Sequence, residues 1–186
     1  MFNLANKLTL ARILAAPVLV VLLYFPPNKV ISLVAALVFV SASLTDIFDG
    51  LVARHRKQVT NFGKFLDPLA DKILICSVLI MLVRLEWVQA WIAIVIISRE
   101  IAVTGLRAAA ADKGLVMAAD RFGKAKTIFQ VVALIPLVLH YSWWGFDPRD
   151  TGLVLLYAAL FLTVFSGANY LYNFYKNWLN EENPER

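Results

Sequence analysis

The sequence is poor in charge and has almost no cysteine. Only 17% of its 186 residues are charged, whereas 60% are hydrophobic and the mean hydropathy is +0.69. Soluble domains contain about a quarter charged residues, so this composition is typical of a membrane protein. The single cysteine, Cys76, lies in an apolar run and excludes a disulfide framework within the chain. The formal net charge of +5 could suggest nucleic acid, but the apolar content points instead to anionic lipid head groups and phosphorylated substrates as partners.

Six apolar stretches follow one another, each near the ~20 residues that a membrane-spanning helix needs. Polar or Pro- and Gly-containing segments separate them, and no internal repeat is visible. We expect an all-α integral membrane protein with one domain over 1–186, a short interfacial segment at Met1–Lys7 and a polar tail at about 175–186. The predicted spans are 6–25, 30–53, 64–84, 88–110, 124–141 and 151–174.

Lysine and arginine are distributed unequally between the two ends of these helices. An even number of spans places both termini on one side, and that side receives most of the cations. The opposite side receives only Lys29, Arg84 and Arg149. Because cytoplasmic loops are enriched in Lys and Arg, the first side is predicted to be cytoplasmic.

Four aspartates stand at the predicted cytoplasmic ends of the second and third helices. Asp46 and Asp49 are three residues apart and Asp67 and Asp71 are four apart, so each pair shares a helical face. Clustered carboxylates repel one another unless a cation lies between them. Oxygen ligands without His or Cys favour Mg²⁺ or Mn²⁺ over zinc, and four aspartates could hold two such ions. The pattern predicts a metal site that acts on phosphoryl groups.

Small residues and one arginine accompany the aspartates. Gly50 and Ala53 follow the first pair, and Gly63 precedes the second. Their small side chains leave room for a bulky ligand to approach the helices. Arg54 offers a planar fork for a phosphate. A solvated loop is the alternative interpretation, but it needs neither four aspartates in helical register nor glycine and alanine between them.

This pattern resembles the complete signature of the CDP-alcohol phosphotransferase family. The signature positions are Asp46, Asp49, Gly50, Ala53, Arg54, Gly63, Asp67 and Asp71. The resemblance implies six transmembrane helices, usually in a homodimer, with a site open to the cytoplasm. It also implies a divalent-metal-dependent reaction in which an alcohol displaces CMP from a CDP-linked lipid.

The resemblance further implies a role for each position. Asp71 would take the proton from the attacking hydroxyl and would also bind metal. The implied metal ligands are Asp46, Asp49, Asp67 and Asp71. The implied CDP-diacylglycerol-binding residues are Asn6, Thr9, Arg12, Asp49, Gly50, Ala53, Arg54, Thr60 and Gly63.

Charged residues in the fourth and fifth predicted helices bear on the identity of the alcohol. Arg99 and Glu100 interrupt an apolar run, where each charge costs roughly 2.5–3.5 kcal/mol on insertion scales. Adjacent residues point ~100° apart on a helix, so these two need not pair, and Glu100 shares a stripe with Arg107. Lys124 and Lys126 lie near a helix start, where cations are unfavourable unless an anion offsets them.

An acceptor that carries its own phosphate would explain both clusters, with Arg99, Arg107, Lys124 and Lys126 as its ligands. An ion pair that fixes helix packing, or simple positive-inside bias, is the alternative. Three segments are similar to the bacterial phosphatidylglycerophosphate synthases: N-x-L-T-x-x-R at 6–12, S-R-E at 98–100 and G-K-x-K-T at 123–127. This similarity implies sn-glycerol 3-phosphate as acceptor and a location in the bacterial cytoplasmic (inner) membrane.

Two other functions remain open from sequence. The same chemistry with another acceptor would make the protein similar to a cardiolipin synthase, which uses phosphatidylglycerol, or to an inositol-phosphate transferase. A divalent-cation transporter would also need membrane aspartates. Transporter sites lie near the midplane, often between repeated halves, whereas these acids cluster at one membrane face and no repeat is visible.

Overall fold

The computed structural model describes residues 4–25, 27–56, 61–112, 121–143 and 145–182. It describes the backbone alone at 4–8, 46–56, 61–65, 67–68, 111–112, 121–122, 124 and 177–182. Within these ranges the chain forms six α-helices and no β-strand, which confirms the predicted all-α class. The helices are α1 (Leu4–Tyr24), α2 (Lys29–Arg56), α3 (Asn61–Arg84), α4 (Ala90–Asp112), α5 (Arg121–Leu139) and α6 (Pro148–Glu182).

The helix bounds agree with the predicted spans to within a few residues, except at the two termini. Helix α6 continues past the predicted end at 174, so the first part of the predicted polar tail is helical. This segment has no Pro or Gly before Pro184 to stop the helix. At the other terminus, Leu4 to Lys7 form the first turn of α1 and Met1 to Asn3 lie outside the described residues, so the interfacial segment stays a prediction. No helix-breaking residue separates them from the span.

The helices pack around one apolar core. Helix α1 packs along α2 and α3, α6 packs along α5 and α4, and α5 also contacts α2 and α3. At the α5–α6 contact Gly152 has no side chain, and a Cβ there would lie 2.7 Å from Cγ of Leu137. All six helices contribute to the core. Its largest fully buried apolar members are Leu19, Leu23, Phe39, Leu74, Leu79, Leu82, Ile92, Ile96, Leu134, Leu137 and Leu156.

Aromatic contacts tie the helix ends together at the end of the bundle that carries the α3–α4 and α5–α6 connections. The ring of Trp87 stacks on His140, with centroids 3.6 Å apart and planes at 4°. The hydroxyl of Tyr141 donates to the carbonyl oxygen of Pro27, which precedes α2. Two cations of this end also lie over aromatic rings, Lys29 over Trp143 and Arg84 over Tyr24. We refer to these eight residues as the aromatic clamp.

Large apolar side chains cover much of the outer surface. Phe25, Val154 and Phe161 are 71%, 69% and 70% exposed, and soluble monomers rarely expose extensive apolar patches. In the described part of the chain, one helical segment is long and apolar enough to cross a bilayer by itself, Pro148–Lys176, with a mean hydropathy of 1.9. Three helical segments are apolar but shorter: Thr9–Tyr24, Lys29–Thr45 and Ala125–Leu139. The described residues therefore form six helices, whereas six membrane spans stay a prediction.

Candidate active site

A cavity of about 230 Å³ lies between α3, α4 and α5, toward the end of the bundle opposite the aromatic clamp. Its walls carry four Lys or Arg side chains and two carboxylates, a formal excess of two positive charges. The charged lining residues are Lys72, Arg99, Arg107, Lys126, Asp71 and Glu100. The structure thereby brings Arg99, Arg107 and Lys126, which were predicted to bind the acceptor phosphate, to the same cavity as the predicted catalytic Asp71.

An ion pair between α1 and α3 connects a residue predicted to bind CDP-diacylglycerol with the predicted catalytic base. Nη1 of Arg12 donates to Oδ1 of Asp71 at 2.8 Å. The Arg12 side chain is 1% exposed and that of Asp71 is 33% exposed. A buried charge is costly unless it is paired, so Asp71 offsets part of the cost of placing this guanidinium in the core. Thr9 is also buried and lies one turn before Arg12 on α1.

Arg99 contacts a side chain on α6, and Glu100 contacts a side chain on α5. Nη2 of Arg99 donates to Oγ of Ser166 on α6 at 2.7 Å. Oε1 of Glu100 forms an ion pair with Nζ of Lys126 on α5. The two neighbours also approach each other, with Nη1 of Arg99 3.6 Å from Oε1 of Glu100. Glu100 therefore joins α4 to α5, which is the packing role considered as the alternative from sequence.

Arg107 lies two turns beyond Arg99 on α4 and is exposed. Its guanidinium carbon lies over the ring of Tyr170 on α6, 5.2 Å from the centroid. A cation at this distance from an aromatic face is attracted by the ring quadrupole. Helix α6 therefore contacts both arginines of the cavity, although no residue of α6 was predicted to belong to the site.

Lys72 and Thr104 line the same cavity and were missed in the sequence. Nζ of Lys72 donates to the hydroxyl of Thr104, and that hydroxyl donates to the carbonyl oxygen of Glu100 at 2.6 Å. Among the described residues, no carboxylate forms a salt bridge with Lys72. One signal was available, because Lys72 directly follows Asp71 inside an apolar run, where a charge is a functional candidate by default.

The other predicted site residues lie outside the described side chains, and Thr60 lies outside the described residues altogether. These residues are Asn6, Asp46, Asp49, Gly50, Ala53, Arg54, Gly63, Asp67 and Lys124. Their helices are described, however. Helix α2 carries the first aspartate pair, α3 carries the second, and the two helices contact each other. The two helices therefore contact each other, whereas the meeting of their aspartate faces stays a prediction.

The predicted metal site can be assessed by its donor chemistry alone. The described side chains contain no group of three His, Cys, Asp or Glu residues that could hold a metal ion. Of the four predicted ligands, only the side chain of Asp71 is among them. All four are carboxylates, and oxygen donors of this kind fit Mg²⁺ or Mn²⁺.

Six helices, a charged cavity at one end of the bundle and two aspartate pairs on contacting helices define a class of membrane enzyme. The model of the CDP-alcohol phosphatidyltransferase family matches residues 2–165. The chain belongs to this family, as the aspartate signature predicted, and the family is a membrane enzyme family that generally depends on divalent metal ions.

Several relatives share a more specific name. The chain is similar to the CDP-diacylglycerol–glycerol-3-phosphate 3-phosphatidyltransferase of Bacillus subtilis, with 45% identity over 96% of each chain. It is 41% identical to the protein of that name from Rickettsia typhi, over 91% of this chain and 96% of the relative. A probable phosphatidylglycerophosphate synthase of Mycobacterium tuberculosis is 40% identical, over 91% of this chain and 80% of the relative.

Proposed function

We propose that this protein transfers the phosphatidyl group of CDP-diacylglycerol to sn-glycerol 3-phosphate, giving phosphatidylglycerophosphate and CMP. The observation that carries the proposal is the cavity in which Arg99, Arg107 and Lys126 meet Asp71. The names of the relatives support it, because enzymes with this activity match at least nine-tenths of the chain.

Charge favours an acceptor with a phosphate monoester. A phosphate monoester carries about −1.5 to −2 charges at pH 7, which complements the excess of two positive charges in the cavity. Arg99 and Arg107 can present planar guanidinium forks, and Lys72 and Lys126 can present point charges. Choline and ethanolamine bring only an ammonium group, which the excess of positive charge would repel, and serine brings a carboxylate but no phosphate.

We assign CDP-diacylglycerol to the side of Asp71 that lies away from the acceptor-binding cations. Asp46, Asp49, Asp67 and Asp71 would hold one or two Mg²⁺ or Mn²⁺ ions. When bound, such ions neutralise the charge of a pyrophosphate. The residues assigned to CDP-diacylglycerol are Asn6, Thr9, Arg12, Asp49, Gly50, Ala53, Arg54, Thr60 and Gly63. The contact of Arg12 with Asp71 supports this arrangement, because it places one of these residues beside the proposed base.

The reaction requires one proton transfer and one displacement. The cations of the cavity would orient glycerol 3-phosphate so that a hydroxyl approaches Asp71. Its oxygen forms a bond to the phosphorus that carries diacylglycerol, the bond from that phosphorus to the CMP oxygen breaks, and CMP leaves. Asp71 takes the hydroxyl proton as general base. Helix α3 therefore supplies the base and α4 and α5 supply the acceptor-binding cations.

The membrane arrangement belongs to the same proposal. All six helices would span the bacterial cytoplasmic (inner) membrane as one domain over 1–186, with the cavity facing the cytoplasm and two chains in a homodimer. The exposed apolar side chains and the unequal distribution of cations between the two ends support this orientation.

The test is an assay of CMP release by the purified protein. CDP-diacylglycerol and Mg²⁺ or Mn²⁺ are supplied, and sn-glycerol 3-phosphate, phosphatidylglycerol and inositol phosphate are added in turn. We expect release with glycerol 3-phosphate. Release with only one of the other acceptors would move the function to a cardiolipin synthase or an inositol-phosphate transferase. No release with any acceptor would contradict the proposed chemistry and favour the transporter.

A further inference from the structure

One face of α6 carries a polar stripe inside the otherwise apolar bundle. Thr163, Ser166, Gly167 and Tyr170 follow the spacing i, i+3, i+4, i+7 and therefore share a face of the helix. The side chains of Thr163, Ser166 and Tyr170 are 0%, 1% and 4% exposed. We call these four residues the α6 stripe. Polar residues in such a buried position need partners, and each of the three polar members contacts a residue that lines the charged cavity.

The middle of the α6 stripe fits the side chain of Arg99. The hydroxyl of Ser166 accepts the hydrogen bond from Nη2 at 2.7 Å. At Gly167, a Cβ would lie 3.0 Å from Cγ and 3.4 Å from Nε of Arg99, which is closer than ordinary contact. The absence of a side chain at Gly167 therefore leaves room for the aliphatic stem, while Ser166 holds the guanidinium. Arg99 is confined at both ends of its side chain.

The two ends of the α6 stripe contact other residues of the same cavity. The ring of Tyr170 faces the guanidinium of Arg107, and Thr163 accepts a hydrogen bond from Nε2 of Gln130 at 3.2 Å. Gln130 is itself buried and lines the cavity on α5, one turn beyond Lys126. The α6 stripe therefore contacts cavity residues on both α4 and α5, although no described side chain of α6 lines the cavity.

We propose that the α6 stripe positions the acceptor-binding arginines, with Ser166, Gly167 and Tyr170 acting through Arg99 and Arg107. This inference rests on the proposed function, because it requires these arginines to bind the phosphate of the acceptor. A free arginine loses much rotamer freedom when it binds an anion, and a side chain that is already held in place loses less. The α6 stripe would therefore lower the KM for the acceptor without contacting the acceptor itself. The family model ends at residue 165, so Ser166, Gly167 and Tyr170 lie beyond the matched segment.

Two substitutions perturb Arg99 in opposite ways. Ser166→Ala removes the hydrogen-bond acceptor, and Gly167→Ala pushes a methyl group against the stem. We expect each to raise the KM for glycerol 3-phosphate by roughly tenfold. Ser166→Ala removes a hydrogen bond to a charged group, which is among the stronger ones, and Gly167→Ala forces the Arg99 stem away from the added methyl group. The KM for CDP-diacylglycerol should stay within about twofold, since lost ground-state binding of one substrate leaves the other unaffected. Gly105→Ala is the matched control, because a Cβ at this α4 glycine has no described atom within 4 Å.

The aromatic contact is tested by a second pair of variants. Tyr170→Leu removes the ring that faces Arg107 and should raise the KM for glycerol 3-phosphate by about two- to fivefold. Tyr170→Phe keeps the ring and removes a hydroxyl that has no hydrogen-bond partner among the described residues. It should therefore keep the KM of the parent protein. A purely structural role of Tyr170 would lower the thermal stability of Tyr170→Leu and leave the acceptor KM of the folded variant at the parental value.

The outcomes separate this inference from the proposed function. If the parent protein does not use glycerol 3-phosphate, the function itself is wrong. If the parent uses it, and the folded variants at Ser166, Gly167 and Tyr170 keep the parental acceptor KM, the positioning role is wrong while the function stands. Equal increases in the KM of both substrates, or a loss of kcat alone, would also overturn it. Should Ser166→Ala fail to fold, Gly167→Ala and the Tyr170 pair decide the question.

Discussion

Arg12 and Asp71 lie 59 residues apart in the chain and meet between α1 and α3, with 2.8 Å between Nη1 and Oδ1. The two residues come from different predicted functions, one from the nucleotide-lipid site and one from catalysis. Their contact means that the orientation of the proposed base depends on a residue of the first helix. Substitution of either residue should therefore affect both the fold and the chemistry.

Removal of one partner or the other of the ion pair should destabilise the protein by unequal amounts. Asp71→Asn removes the carboxylate from a guanidinium that is 1% exposed, whereas Arg12→Met leaves a carboxylate that is 33% exposed. We expect the first change to destabilise the protein more, because a more deeply buried charge loses a partner. The double variant should be more stable than Asp71→Asn alone, with a coupling energy of about 1–3 kcal/mol. Thermal unfolding in detergent measures all four proteins, and strictly additive effects would contradict the prediction.

Asp71→Asn should also separate catalysis from binding. A lost general base lowers kcat by ~10²–10⁴-fold, and we expect the affinity for CDP-diacylglycerol to change much less. Asp46→Asn and Asp67→Asn serve as the comparison, because loss of a predicted metal ligand should weaken nucleotide binding as well. Binding of CDP-diacylglycerol and kcat are measured for each variant. An equal loss of affinity in Asp71→Asn would mean that Asp71 is chiefly a metal ligand and that another group is the base.

Removal of divalent metal should abolish turnover. The oxygen-only set of predicted ligands leads us to expect no CMP release in excess chelator and full recovery when Mg²⁺ or Mn²⁺ is added back. Asp67→Asn should remain inactive at every metal concentration while the protein still inserts into membranes. Undiminished turnover in chelator would disprove the metal assignment, whatever the behaviour of the variant.

Substitution of the cavity cations should weaken binding of the acceptor and leave binding of CDP-diacylglycerol nearly unchanged. Arg99→Gln or Lys126→Gln removes a proposed phosphate ligand, so we expect the KM for glycerol 3-phosphate to rise about tenfold or more, with a nearly constant KM for CDP-diacylglycerol. Lys29→Gln is the control, because Lys29 lies over Trp143 in the aromatic clamp, at the other end of the bundle. An effect confined to the lipid substrate would assign these cations to the pyrophosphate.

The sequence predicts the helices well because the apolar runs and the polar breaks between them are local features. It also predicts that charges in apolar segments belong to a site, and Arg99 and Lys126 do line one cavity. The predicted helix end is wrong where no Pro or Gly marks the end of the helix. Helix α6 runs to Glu182 because the polar residues after 174 are compatible with a helix and no breaker stands among them.

Sequence spacing could not predict which side chains on different helices contact each other. Arg99 and Ser166 are 67 residues apart, and neither pattern nor charge indicates that a serine on the sixth helix accepts a hydrogen bond from an arginine on the fourth. The pair of Arg12 and Asp71 is of the same kind. Such partners depend on the rotation and depth at which helices pack, and these are set by side chains over the whole core.

The aromatic clamp and the charged cavity connect the helices at opposite ends of the bundle. Stacked rings and a hydrogen bond from Tyr141 hold the helix termini at the clamp, whereas the cavity end is lined by charges. Helix α4 has 23 residues, so at 1.5 Å per residue its two ends lie ~35 Å apart. This distance is about four Debye lengths at physiological ionic strength, so a solvent-exposed charge that is altered at one end of the bundle is largely screened from the other.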